Sequence, residues 1–172
     1  MKSLPTFLIT AVLAMVSQPT QGTDTAERDT SDSALNALLV TYGDAATLFY
    51  NGQPNAVKEL WSHADDVTLS GAAGGPTARG WKEVSARLDW ASSQFLNTKG
   101  SKQVEQVQTT VQGDLAYVVQ YEHILYYPVD QSGQAKRDYR VTTVFRREPS
   151  GWRVVHRHAD TLTTRAEIRQ GS

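Results

Sequence analysis

The chain has 172 residues, 17 Lys and Arg against 18 Asp and Glu, and no cysteine. A net charge near zero, with neither sign gathered into a block, excludes the electrostatic footprint of a nucleic-acid binder or of a protein drawn to acidic membranes. Disulfides and thiolate chemistry are excluded as well, so stability must come from a hydrophobic core, and the length suits one such domain.

Lys2 supplies one positive charge, Phe7 to Val16 form an uncharged run, and Ser17 to Gly22 are polar or small. This is the outline of a secretory signal peptide, and the run is shorter than the roughly 20 apolar residues of a spanning helix. The expected organisation is a signal peptide over 1–22, a flexible polar leader over 23–31, a folded domain over 32–162 and a tail over 163–172. The protein is expected to be secreted or periplasmic, with no membrane contact after cleavage.

After the N-cap candidates Ser31, Asp32 and Ser33, the residues Leu35, Leu38, Leu39, Tyr42, Ala46 and Phe49 keep the spacing of one helical face. Asn51-Gly52 stops that helix, and Pro54 opens a short second one that carries Val57, Leu60 and Trp61 inward. Val67 to Ser70 read as a short strand. The loop Gly71 to Pro76 lacks the Gly-Lys-Ser/Thr ending that a phosphate-binding loop requires. Trp81, Val84, Leu88, Ala91 and Phe95 return to helical spacing and predict a third helix ending near Asn97 to Gly100.

The second half is different in kind. Val104 to Gln112, Leu115 to Tyr127, Arg137 to Arg147 and Trp152 to Leu162 are rich in Val, Thr and Tyr, and turn signals separate them. Consecutive strands joined by short turns pair with their neighbours, so the expected fold class is α+β. A curved antiparallel sheet of four to five strands wraps over a long N-terminal helix with two further helices, and a conical cavity forms where sheet and helices diverge.

Strand alternation supplies a list of cavity candidates. In the closing strand Trp152, Val154, His156, His158 and Asp160 fall on one side. Two imidazoles and a carboxylate beside a Trp and a Val either line a wet pocket, where an imidazole can move a proton near neutral pH, or act as structural hydrogen-bonders. Ala116, Val118, Gln120 and Glu122 share a face against Tyr117, Val119, Tyr121 and His123. On the next strand Arg140, Thr142 and Val144 oppose Tyr139, Val141, Thr143 and Phe145. Both faces are mixed, and a slip of one residue exchanges them.

The order of elements, with Leu60-Trp61-Ser62-His63-Ala64-Asp65-Asp66-Val67, Arg79-Gly80-Trp81, Val144-Phe145-Arg146-Arg147 and the closing Gly151 to Asp160, resembles a SnoaL-like domain of the nuclear transport factor 2-like superfamily. The resemblance spans Ser31 to Asp160. It implies the fold described above and a superfamily that includes isomerases, polyketide cyclases, epoxide hydrolases, dehydratases, immunity proteins and domains that only dimerise or bind a ligand, so activity must be argued from the site. It also implies an acidic and a basic group on matching inner positions, which selects Glu122 and Arg140.

On this reading the catalytic candidates are His156, His158 and Glu122 for proton transfer, with Asp160 holding an imidazole in one tautomer. The ligand-binding candidates are Trp61, Trp81, Val118, Thr142, Arg140, which would stabilise a developing enolate oxygen, and His63, at a position where resembling domains supply a pocket rim. A structural role for the same groups, as an internal ion pair and a hydrogen-bonded His pair, is the competing reading. No cofactor and no metal are expected, because His156-x-His158 is a weak ligand pattern and Arg140 beside it would repel a cation. No Gly-x-Ser-x-Gly elbow is present. The expected partners are a small, mostly apolar organic ligand, bound with or without acid-base catalysis, and a second copy of the chain, docked on an outer face of Tyr117, Tyr121, Tyr139, Val141, Thr143 and Phe145.

Overall fold

The computed structural model describes residues 22–96 and 99–163. Helix α1 (Gly22–Phe49) buries Leu35, Tyr42, Ala45 and Ala46 along one face. It begins earlier than its apolar face requires, so that 23–31, expected as a flexible leader, is helical. Ala26, Glu27 and Arg28 are good helix formers, and a helix nucleated by its packed part gains a backbone bond with each residue added. The expected signal segment over 1–21 and the tail beyond 163 lie outside the described residues.

Helix α2 (Asn55–Lys58) follows α1 closely, and the chain then joins the sheet. Ser62 N donates to Val154 O, and Val154 N to Leu60 O, both at 2.9 Å. Strands β1 (Thr68–Ser70) and β2 (Ala78–Arg79) are short. Helix α3 (Gly80–Ser92) ends before the expected Asn97, because the following residues pair with the connection between later strands. Leu96 N donates to Tyr127 O at 2.7 Å and Val129 N to Gln94 O at 3.2 Å.

Strands β3 (Ser101–Gln112), β4 (Leu115–Tyr126), β5 (Ala135–Glu148) and β6 (Gly151–Thr161) form the expected antiparallel meander. Gly113, at φ 59°, makes the tight turn from β3 to β4 in a conformation that side chains disfavour. Parallel pairing of β1 with β6, and antiparallel pairing of β2 with β1, extends the sheet to six strands in the order β2-β1-β6-β5-β4-β3. Bulges at Val107 and at Val155 bend the two strands that carry them.

The inward residues of β4 divide the interior into three zones. Ala116 and Val118 join a core with Trp61, Val67, Val84, Phe145, Trp152 and Val154. Ile124 and Tyr126 join a second cluster with Ala46 and Tyr50, against which Phe49, Phe95 and Tyr139 pack. Gln120 and Glu122 are buried between the two. Asn51 ties the end of α1 to the start of β3, accepting from Gly100 N at 2.8 Å and donating to Gly100 O at 3.1 Å. A side chain at Gly100 would place Cβ 2.4 Å from Tyr50 O, so this close approach requires glycine.

Candidate ligand-binding site

A cavity of about 310 Å3 opens between α1, α3 and the inner face of the sheet. Its body is aromatic. Phe49, Tyr50, Phe95 and Tyr126 meet edge to face, with ring centroids 5.1 to 6.0 Å apart. Ala72, Trp90, Pro128 and Asp130 stand among the lining residues. Arg87 donates to Gly74 O and so anchors the glycine-containing loop that borders the cavity.

Its polar end is built on Glu122, whose side chain is 1 % exposed. Arg157 Nη2 donates to Oε2 at 2.7 Å, while Gln120 Nε2 at 2.7 Å and Lys102 Nζ at 3.3 Å donate to Oε1. Burial alone would raise this carboxyl, but the Arg157 and Lys102 charges and the Gln120 hydrogen bond outweigh it and bring the group down to about 2. Burial also lowers Lys102, with the Arg157 charge adding to it and Glu122 opposing. Arg157 resists burial because Glu122 faces it, and is raised. Burial pushes the Tyr42 phenol up to about 12 and Tyr50 well above its ordinary value, so both remain protonated donors at neutral pH. The Tyr42 ring also receives Lys102 Nζ at 5.2 Å from its centroid. Tyr42 and Lys102 separate this space from a second cavity of about 210 Å3 between α1 and β3, which Val118, Gln120 and Phe145 also line.

Of the four residues expected to carry catalysis, Glu122 stands on the cavity wall and the other three do not. Trp152 and Val154 point inward as the alternation predicts. Phe145 then pairs with Val154 and Val144 with His156, leaving Val155 as an extra residue. One extra residue shifts the phase of everything after it. Arg157 and Ala159 therefore take the inner face, and His156, His158 and Asp160 the outer one. His156 Nδ1 lies 2.7 Å from Thr68 Oγ1, and burial followed by the His158 charge lowers its pKa. His158 is exposed, and Asp160 pairs with Arg140 across β5 and β6.

The expected ligand-binding residues divide similarly. On β5 the phase is one residue from the expected one: Glu122 pairs with Tyr139 and Val118 with Thr143, so Tyr139, Val141, Thr143 and Phe145 face inward and Arg140 and Thr142 outward. Arg140 is 60 % exposed at its side chain and so is not the cation of the cavity. Trp61 is buried in the first core, 1 % exposed, and lines neither cavity. Exposed His63 stacks on Trp81 of α3, the ring centroids 3.9 Å apart, and half-buried Trp81 packs against the first core, so neither lines a cavity. Val118 is on the inner face and lines the second cavity. The outer face expected to dock a second copy keeps Tyr117 and Tyr121 but loses Tyr139, Val141, Thr143 and Phe145.

Sequence reasoning missed Lys102, Arg157, Tyr42, Tyr50 and Tyr139. The polar pair Gln120 and Glu122 on an otherwise apolar face was the available signal that cationic partners must lie opposite. Among the described residues, no group of three or more His, Asp or Glu side chains could hold a metal ion, and no helix is long and apolar enough to cross a membrane.

The SnoaL-like domain family matches residues 38–162. Solved structures that share the fold include the following three. A nuclear transport factor 2-like protein with a cystatin-like fold from Novosphingobium aromaticivorans is 22% identical, covers 89% of this chain and 95% of its own, and has a TM-score of 0.65. A superfamily protein from Salmonella enterica serovar Typhimurium is 18% identical over 87% of this chain and 99% of its own, at 0.64. A ketosteroid isomerase-like protein from Erwinia carotovora atroseptica is 19% identical over 77% and 96%, at 0.60. No curated protein matches the chain. With the match running from within α1 through every strand of the sheet, the chain belongs to the SnoaL-like domain family.

Proposed function

We propose that this is an exported SnoaL-like domain that binds a small, mostly apolar organic molecule in the cavity between sheet and helices, without turning it over. The observation that carries this reading is the aromatic cavity of about 310 Å3 closed at one end by a fully partnered carboxylate. General acid-base work at neutral pH favours a group that gains and loses its proton there. Glu122, held near 2, is a weak base, and both imidazoles of β6 face away. A catalytic alternative rests on Lys102, whose pKa burial lowers; Lys102→Met would then abolish turnover while sparing the binding of neutral ligands.

Ala91→Trp tests the cavity reading, because position 91 lies half-buried on α3 and borders the opening. Thermal-shift measurements with flat aromatic ligands are expected to show stabilisation of the wild type and none of the variant. Equal shifts in both proteins would contradict the proposal. The outer face, with Tyr117, Val119, Tyr121 and Val144 beside exposed Leu115, is the surface we propose for homodimerisation. Sedimentation at micromolar concentration is expected to give a dimer that Tyr121→Glu dissociates, and a wild-type monomer would remove the idea.

A further inference from the structure

The polar end of the cavity is rich in donors and poor in acceptors. Lys102 and Arg157, whose side chains are 2 % and 14 % exposed, share the single carboxylate of Glu122. The phenols of Tyr42 and Tyr50 stay protonated, adding donors. Toward the opening, Arg137 lies 5.6 Å from the Tyr126 ring centroid. Among the described residues the wall carries four cationic side chains, with Arg87, against the two carboxylates of Glu122 and Asp130. A buried charge without a counter-charge is costly, so one buried cation of the Lys102-Arg157-Glu122 cluster lacks a full partner until something negative occupies the cavity. A cationic ligand would meet net repulsion, and a neutral one would leave the imbalance in place.

We infer that, on the ligand-binding reading above, the cavity takes an organic anion: a flat apolar body against Phe49, Tyr50, Phe95 and Tyr126, with one carboxylate directed at Lys102 and Arg157. The guanidinium suits a carboxylate through its paired N–H groups, and Lys102 contributes a point charge beside it. Edge-to-face rings supply the contact for an aromatic or alicyclic body. Glu122 then orients the two cations rather than touching the ligand's reactive atoms, which makes it a positioning residue.

The test is isothermal titration calorimetry of the purified protein with 2-naphthoate and with 2-naphthamide, a pair alike in shape and unlike in charge. Naphthoate is expected to bind tighter by on the order of tenfold to a hundredfold, the ratio shrinking as salt is raised. Lys102→Met leaves Glu122 and Arg157 as a balanced pair, and is expected to reduce naphthoate affinity by roughly tenfold while leaving the amide unchanged. Arg137→Gln, an exposed change with little risk to folding, is expected to weaken naphthoate by about threefold. Equal binding of the two probes, or tighter binding of the amide, would overturn the anion assignment and leave the cavity reading intact. Binding of neither would overturn both.

Discussion

The two faces of β4, β5 and β6 carry the same kinds of side chain to opposite effect. Outside, His123 and Asp138 approach to 2.6 Å and Arg140 pairs with Asp160, but water reaches all four. Exposed pairs of this sort contribute about 0 to 1 kcal/mol, because solvent screens them and ordering the side chains costs entropy. Inside, Glu122 draws Lys102, Gln120 and Arg157 onto one carboxylate that water does not reach, so each partner depends on the others. The lesson is that burial, not the identity of the residues, separates a charged ornament from a charged site.

The largest expected effect comes from removing the inner anion. Glu122→Leu leaves Lys102 and Arg157 facing one another, and urea unfolding should show a loss of about 3 to 5 kcal/mol. A loss below about 1 kcal/mol would put the inner cluster on a par with the outer pairs and break the contrast.

Acid sharpens it next. Glu122 titrates near 2 in the fold against 4.5 outside it. Its stabilisation is therefore complete above about pH 4.5 and lost as the pH falls toward 2. Circular dichroism against pH should show the wild type losing stability as the pH falls through that window, and Glu122→Gln, less stable at neutral pH, lacking that dependence. Unchanged profiles would mean that the carboxylate is not held as described.

Smaller effects belong to the outer face. Asp160→Ala should cost under about 1 kcal/mol by urea unfolding, despite the ion pair that it removes. The double change His156→Gln and His158→Gln should leave ligand affinity within about twofold and stability within about 0.5 kcal/mol. A tenfold loss of binding in that double variant would return the imidazoles to the cavity.

Much of the architecture was legible because it follows from periodicity: the 3.6-residue stripe of α1, the turn signals at Gly113 and Gly151, and the inward alternation Ala116, Val118, Gln120, Glu122 on β4. The site was legible only at Glu122. On β5 both faces are chemically mixed, so the sequence carries no preference for Tyr139 over Arg140, and the connection of eight residues from Tyr127 to Gln134 sets the phase. On β6 the alternation held through Val154 and failed at the bulge. No local residue type marks Val155 as the extra one; pairing with β5 and with β1 on either side decides it. Lys102 was invisible for another reason, since a lysine at the start of an edge strand ordinarily points to solvent, and only the anion buried on β4 draws it inward.

Thiol labelling of single cysteines reads directly which residues of β6 face the cavity, because the native chain contains none. His158→Cys and Ala159→Cys would be reacted separately with a small maleimide under native conditions. His158→Cys is expected to react at close to the unfolded rate and Ala159→Cys on the order of a hundredfold more slowly. The reverse order of rates would mean that the strand runs without its bulge, and that the imidazoles, not Arg157, belong to the cavity.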